Sequence, residues 1–215
     1  MPELVKPRRR YDATGRRARA QETRDEIAEA ARRLFIENGY AGTTIADVAR
    51  QANVSPETIY KGFGSKRALL DAAVTSSVRG DTEATPLRSR PVIDAIRQEQ
   101  DPRRQLQTYA DLLAEVNPRL APLVRVMREA ASSDPEAAAA LSELNGNRLE
   151  SMNEFATLLA GRRALRPGIS KRHARDVLWT LNSPEVYELL VLERGWSNRQ
   201  YARWVASQLT AALLT

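Results

Sequence analysis

Cysteine is absent from the chain, and histidine occurs once, at position 173. Without thiols there are no disulfide bridges and no thiolate metal centres. A single imidazole cannot build a His-based zinc site, and a Ser-His-Asp arrangement has almost nothing to draw on. His173 itself sits among Lys171, Arg172 and Arg175, which reads as a solvated basic helix start. No glycine-rich loop of the phosphate-cradling kind is present. No apolar run approaches the ~20 residues that a membrane span needs, and no signal-like apolar segment opens the chain. These absences leave no catalytic residue, no metal and no cofactor to assign. They point to a cytoplasmic protein that is not an enzyme and has no membrane partner.

Charge is concentrated at one end. Of a formal net charge of +6, residues 1–20 supply +5, through seven Lys/Arg against Glu3 and Asp12. The Arg8, Arg9, Arg10 run, with Pro2, Pro7 and Gly15 nearby, reads as a basic arm over 1–21 that is mobile without a partner. Such an arm can track phosphates or enter a minor groove by charge and adjacency alone.

The rest of the chain is organised around Thr44 to Lys66, TIADVARQANVSPETIYKGFGSK. Thr44 and Asp47 form a capping box that starts one short helix, and Ile45, Val48, Ala49 and Ala52 share a face of it. Asn53 tolerates the left-handed conformation that ends a helix. Ser55 is an N-cap for a second helix, with Pro56 at its first position and Glu57 suited to the dipole. Ile59 and Phe63 fall on its inner face, while Thr58, Tyr60 and Lys61 fall outside. The pattern predicts a helix-turn-helix over 44–63 whose second helix is free to lie in a DNA major groove. Upstream, a Thr23/Glu26 capping box predicts a helix to about Asn38, stopped by Gly39. Downstream, a fourth helix begins near Ser65 and carries Leu69, Leu70 and Val74 toward the same core.

Taken together, T-R-x-x-I-x-x-A-A-x-x-L-F-x-x-x-G-Y from Thr23, T-T-I-x-x-V-A from Thr43 and V-S-x-x-T-I-Y-x-x-F-x-S-K from Val54 resemble the tetracycline-repressor (TetR) family of bacterial regulators. The resemblance covers residues 23–74. It implies an all-α protein with a three-helix helix-turn-helix domain and a larger helical domain for ligand binding and dimerisation. It also implies roles at double-stranded DNA. Thr44 would hold a phosphate at a helix N-terminus. Tyr60 and Lys66 match positions that meet the backbone, and Thr58 and Lys61 match positions that face base edges. Ser55 belongs to the same surface. Glu57 either accepts from cytosine N4 or serves the helix N-terminus. Two positions depart from the family pattern: Asn53 stands where glycine is frequent, and Gly62 where an aromatic or histidine is usual. Ala46 is short where some members carry a long base-reading side chain, so the operator sequence does not follow.

The expected domains are the arm (1–21), the DNA-binding domain (22–80), a polar linker (81–91) and a helical effector-binding and dimerisation domain (92–215). In the last, a short helix over 92–100 precedes one that Asp101-Pro102 starts, and Pro118 and Pro122 are expected to bracket a turn. Asp134-Pro135 starts a helix to about Leu159 that Asn145-Gly146-Asn147 weakens. Ser170 and Ser183-Pro184 cap two more. Residues 186–192 are apolar nearly all round, which implies burial on two sides. Val186, Tyr187 and Leu190, with the stripe Tyr201, Trp204, Val205, Leu209 and Leu213, are therefore assigned to a homodimer interface. Tyr109, Met127, Met152, Phe155, Trp179 and Asn182 are the candidate lining of an effector pocket, for a small apolar or aromatic molecule. The function this suggests is a dimeric repressor released from its operator by that effector. The alternative is a non-specific architectural DNA-binding protein without a switch.

Overall fold

A computed structural model describes residues 13–80 and 90–215. They form ten α-helices, and the described residues contain no strand beyond an isolated bridge between Leu165 and Leu214. Helices α1 (Ala13–Gly42), α2 (Ile45–Gln51), α3 (Pro56–Phe63) and α4 (Lys66–Arg79) form the head. The body comprises α5 (Pro91–Gln98), α6 (Pro102–Ala131), α7 (Pro135–Gly161), α8 (Lys171–Leu181), α9 (Pro184–Tyr187) and α10 (Asn198–Leu213). A π-helical turn, Glu188–Glu193, continues α9.

Most starts follow the capping chemistry. Side chains of Thr44, Ser55, Ser65, Asp101, Asp134, Ser170, Ser183 and Ser197 each accept a backbone N–H of the helix they begin. Asn53 adopts φ 52°, the left-handed value its side chain tolerates. Gly39, at φ 72°, breaks the helical path near the end of α1.

Two expectations are corrected. Residues 13–21 are helical, so Thr23 lies inside α1 and caps nothing; the expected arm holds helix-forming Ala and Arg enough to extend it. Pro118 and Pro122 bracket no turn but lie within one thirty-residue helix. An interior proline costs about 3 kcal/mol. Around them Val116, Leu120, Ala121, Leu123 and Val124 are all buried, and that packing outweighs the loss. The helix expected from Asp134-Pro135 to about Leu159 is α7, which runs through Asn145-Gly146-Asn147 to Gly161, held on either side by Ala137, Ala140, Met152 and Phe155. The expected linker, 81–91, lies outside the described residues except for its last two positions, and so do Arg8, Arg9 and Arg10.

Two hydrophobic clusters organise the molecule. One joins α5–α10 around Leu106, Tyr109, Leu113, Leu159, Leu178, Tyr201 and Leu209. The other holds the head around Ile27, Phe35, Val48, Ile59, Leu69 and Leu70, but it also takes Leu123, Val126 and Met127 from α6 and Ala137 and Ala140 from α7. The head is therefore not closed by its own helices. Polar bonds reinforce the junction. Arg67 on α4 reaches the Glu136 carbonyl at 3.0 Å and Glu143 at 2.8 Å, and Arg119 Nε on α6 donates to the Ser77 carbonyl at 3.1 Å.

Candidate nucleic-acid interface

In α3 the side chains divide as the pattern requires. Ile59 is completely buried, whereas Glu57, Thr58, Tyr60 and Lys61 are exposed, Tyr60 by 57%. A helix this short has little stability of its own. It is anchored by Ile59 and by Phe63 against the head core, and by Ser55, whose Oγ accepts the Thr58 N–H at 3.3 Å. Ser55 is thus a cap as well as an exposed residue beside the helix start. At the far end Arg24 of α1 donates to the Gly62 carbonyl, and its guanidinium lies 4.2 Å from the Phe63 ring centre. This cation closes the negative end of α3. Its position in α1 gave no sign of that task, because the pairing depends on how α1 crosses α3.

Glu57 turns back on the helix start. Its own backbone N–H, and then Ser55, hold its carboxyl below the usual carboxylate range. A similar arrangement occupies Thr44. The Thr44 hydroxyl accepts the Asp47 N–H at 3.1 Å and contacts Asp47 Oδ2 at 2.6 Å, and the Thr44 N–H donates to that carboxylate at 3.2 Å. Asp47 is further paired with Arg50, and its carboxyl is lowered chiefly by the Thr44 hydroxyl. The groups expected to meet a phosphate are therefore held by a carboxylate. The N–H groups at Ile45 and Ala46 remain as the partnerless donors of the first turn.

Lys66 does not stand out into solvent as a bare charge. Its amino group lies 4.3 Å from the Tyr40 ring centre, and burial lowers its pKa against the pull of Asp134 and Glu136. Burial and the same two carboxylates push Tyr40 up to about 12.

In the body, Tyr109, Met152, Phe155, Trp179 and Asn182 are brought together where α6, α7 and α8 meet. Tyr109 packs edge-on to Phe155 at 5.0 Å, donates to Met152 Sδ at 3.1 Å and accepts a bond from Asn182. Met127 is not among them. It is fully buried in the head-side cluster, because the thirty-residue α6 carries it a long way from Tyr109.

The residues assigned to a dimer interface divide as well. Tyr187, Tyr201, Val205, Leu209 and Leu213 are buried within the single chain, with Tyr201 bonded to Asn117 of α6 at 3.0 Å. The 3–4 stripe of α10 faces its own α6, so these five side chains are covered before any second copy arrives. Val186, Leu190 and Trp204 are half-buried, and Trp204 packs edge-on to Trp196 at 6.1 Å. Leu189 and Leu192, on the π-helical turn and within the 186–192 run expected to be buried on two sides, are exposed by 53% and 46% in the single chain.

Comparison with known proteins bears on this head. Residues 27–73 match the family described as bacterial regulatory proteins, tetR family. The HTH-type transcriptional regulator TtgR of Pseudomonas putida is 47% identical over 57 residues, which is 26% of this chain and 27% of that protein. The match thus spans about a quarter of the curated relative's length. Likeness of fold extends further. The structure of NalD, the secondary repressor of the MexAB-OprM multidrug efflux pump in Pseudomonas aeruginosa, superposes with a TM-score of 0.67 at 20% identity, over 91% of this chain and 98% of that one. Bacillus subtilis FadR, in complex with stearoyl-CoA, gives 0.65 at 20%, over 86% and 96%. The head agrees in sequence and the whole described chain in fold. Residues 27–73 thus carry the head of the tetR family of bacterial regulatory proteins, and the chain around them shares the fold of solved structures of such regulators.

Proposed function

We propose that the protein is a sequence-specific, DNA-binding transcriptional repressor that works as a homodimer in the bacterial cytoplasm and is released from its operator by a small apolar or aromatic effector. The observation that carries this reading is α3: a short helix seated on Ile59, with Thr58, Tyr60 and Lys61 exposed, inside the segment that matches the family. Thr58 offers a methyl to thymine and Lys61 a donor to guanine O6 or N7, while Tyr60 contacts the backbone. Phosphate is met by the first-turn N–H groups of α2, by Lys66 and by the Arg8, Arg9, Arg10 arm.

Reading two half-sites needs two copies. The surface proposed for pairing is the outer side of the α9–α10 region, where Leu189 and Leu192 join Val186, Leu190 and Trp204. Large apolar side chains clustered at the surface mark such contacts. The aromatic and thioether cluster of Tyr109, Met152, Phe155, Trp179 and Asn182 supports an effector site, as does the acyl-CoA bound by FadR, a protein of the same fold. The switch follows from shared packing: α6 and α7 line the effector cluster and also complete the head's core, so a ligand that favours one arrangement of them shifts the head.

The test is to select genomic fragments on the purified protein at one fixed salt concentration and then measure stoichiometry by sedimentation on the enriched sequence. A shared, two-fold symmetric motif bound by two chains supports the reading. Fragments retained without a shared motif would favour the architectural alternative.

A further inference from the structure

Between α6, α7 and α8 lies a buried polar cluster with more donors than acceptors. Arg148, on α7, is half-buried. Its Nε donates to Asn182 Oδ1 at 2.9 Å, Nη1 to Asn145 Oδ1 at 3.0 Å and Nη2 to the Trp179 carbonyl at 3.0 Å. All three acceptors are neutral, and no carboxylate is in ion-pair range of this guanidinium among the described residues. The carboxylate that acts on it from farther off, Glu185, pairs instead with Arg128 at 3.4 Å. The C-terminal end of α8 offsets part of the charge, because the Trp179 carbonyl and the cap residue Asn182 both lie there. That end supplies no anion.

Two neighbours share the deficit. The indole Nε1 of Trp179, whose ring centre is 5.4 Å from the Arg148 guanidinium carbon, is buried without an acceptor. Tyr109 spends its hydroxyl proton on the Met152 thioether, a weak acceptor, while its oxygen receives the Asn182 amide. A half-buried cation without a counter-charge and a buried N–H without a partner each carry a desolvation penalty, the second in full. One anionic acceptor relieves both.

We infer that the Arg148 cluster is the head-group site for the effector, and that the effector is an apolar or aromatic molecule bearing one carboxylate. The carboxylate accepts from the Arg148 guanidinium and from Trp179 Nε1, and the body of the molecule lies against Met152 and Phe155. Met152 is the side chain that gives way, since an unbranched thioether has low-energy alternatives and its bond to Tyr109 is easily exchanged. The inference deepens the effector-released reading and depends on it for biological meaning, though the site can be tested without DNA.

The experiment is calorimetric titration of the full-length protein with decanoate and 2-naphthoate, each against its primary amide of the same shape, with the melting temperature as second readout. The acids are expected to bind at least about tenfold more tightly than the amides, as a charge-assisted pair on a half-buried arginine should. Arg148→Gln is expected to abolish that preference, and Trp179→Phe, which keeps a ring and removes the N–H, to reduce it. Equal affinity for acid and amide in the unaltered protein would overturn the inference, as would failure of both acids to bind. So would a folded Arg148→Gln that still prefers acids. The wild-type comparison needs no variant to fold. Operator binding measured in parallel separates the two readings. Specific DNA binding without acid preference sinks only the site, whereas acid preference without specific DNA binding sinks only the regulator.

Discussion

Tyr60 and Lys61 are exposed on α3, and Ile59 immediately before them is completely buried. That single reversal divides the roles of neighbouring residues, and substitutions should obey it. On the proposed reading, in which this side chain meets a base edge, Lys61→Ala is expected to cost about 1–3 kcal/mol on the operator and to relax preference at one base position. Fluorescence anisotropy on operators varied one position at a time checks this. Ile59→Ala should act on folding instead, removing about 2–5 kcal/mol from the head as a buried large-to-small change. Urea denaturation with a far-UV signal measures it. Lys66 is a less simple case. Its position implied a free charge for phosphate, but its amino group rests on the Tyr40 ring near Glu136. Spacing reveals that a lysine starts α4; which ring lies beneath it depends on how α1 packs against α4.

At the scale of elements, caps and closures set how rigidly α2 and α3 are presented. The Thr44/Asp47 box stabilises the start of α2, and Thr44→Ala should lower stability by about 0.5–2 kcal/mol. Asp47 gives this a pH signature. Its carboxyl is held below the ordinary value by Thr44 first and Arg50 next, so the folded state binds its proton less readily than the unfolded chain. The contribution is present above the ordinary carboxylate range, near pH 4, and fades as pH falls through the lower folded value. The difference between wild type and Asp47→Asn in urea midpoint should therefore be present at pH 7 and shrink toward pH 3. Gly80 closes α4 at φ 78°, where an added Cβ would collide with the Arg119 guanidinium. Gly80→Ala should thus combine backbone strain of order 1–3 kcal/mol with displacement of Arg119 from the Ser77 carbonyl. The loss is read as a lowered melting temperature, and Arg119→Ala should remove much of the added penalty.

At the scale of the whole molecule, the head and body share a core. Leu123, Val126 and Met127 on α6 and Ala137 and Ala140 on α7 are buried in one cluster with Val48, Ile59 and Leu70 of the head, and Arg67 binds α4 to α7. The sequence divides the chain at the polar stretch near 81–91, but packing does not follow that division. The helix-turn-helix was legible because its signals are local: cap residues, Asn53 in the turn and a two-sided α3. Long-range facts were not legible. An amphipathic stripe such as Tyr201, Val205 and Leu209 says that a face is buried, without saying whether its cover is α6 or a second copy. Here α6 covers it. The exposed apolar residues Leu189 and Leu192 lie on a π turn that no periodicity announces. On the proposed pairing through this surface, Leu189→Asp together with Leu192→Asp is expected to shift the sedimentation behaviour from dimer to monomer while leaving the melting of the head unchanged.

The most direct measurement is the ratio of affinities for the selected operator and for scrambled DNA of equal length, by anisotropy at one salt concentration, for wild type and Lys61→Ala. Sequence-specific reading through α3 predicts a wild-type ratio of about a thousand or more. Lys61→Ala should then lower operator affinity roughly ten- to a hundredfold while hardly changing affinity for scrambled DNA. A wild-type ratio near one, or equal losses on both DNAs, would contradict α3 as the reader and leave only a charge-driven grip on the backbone.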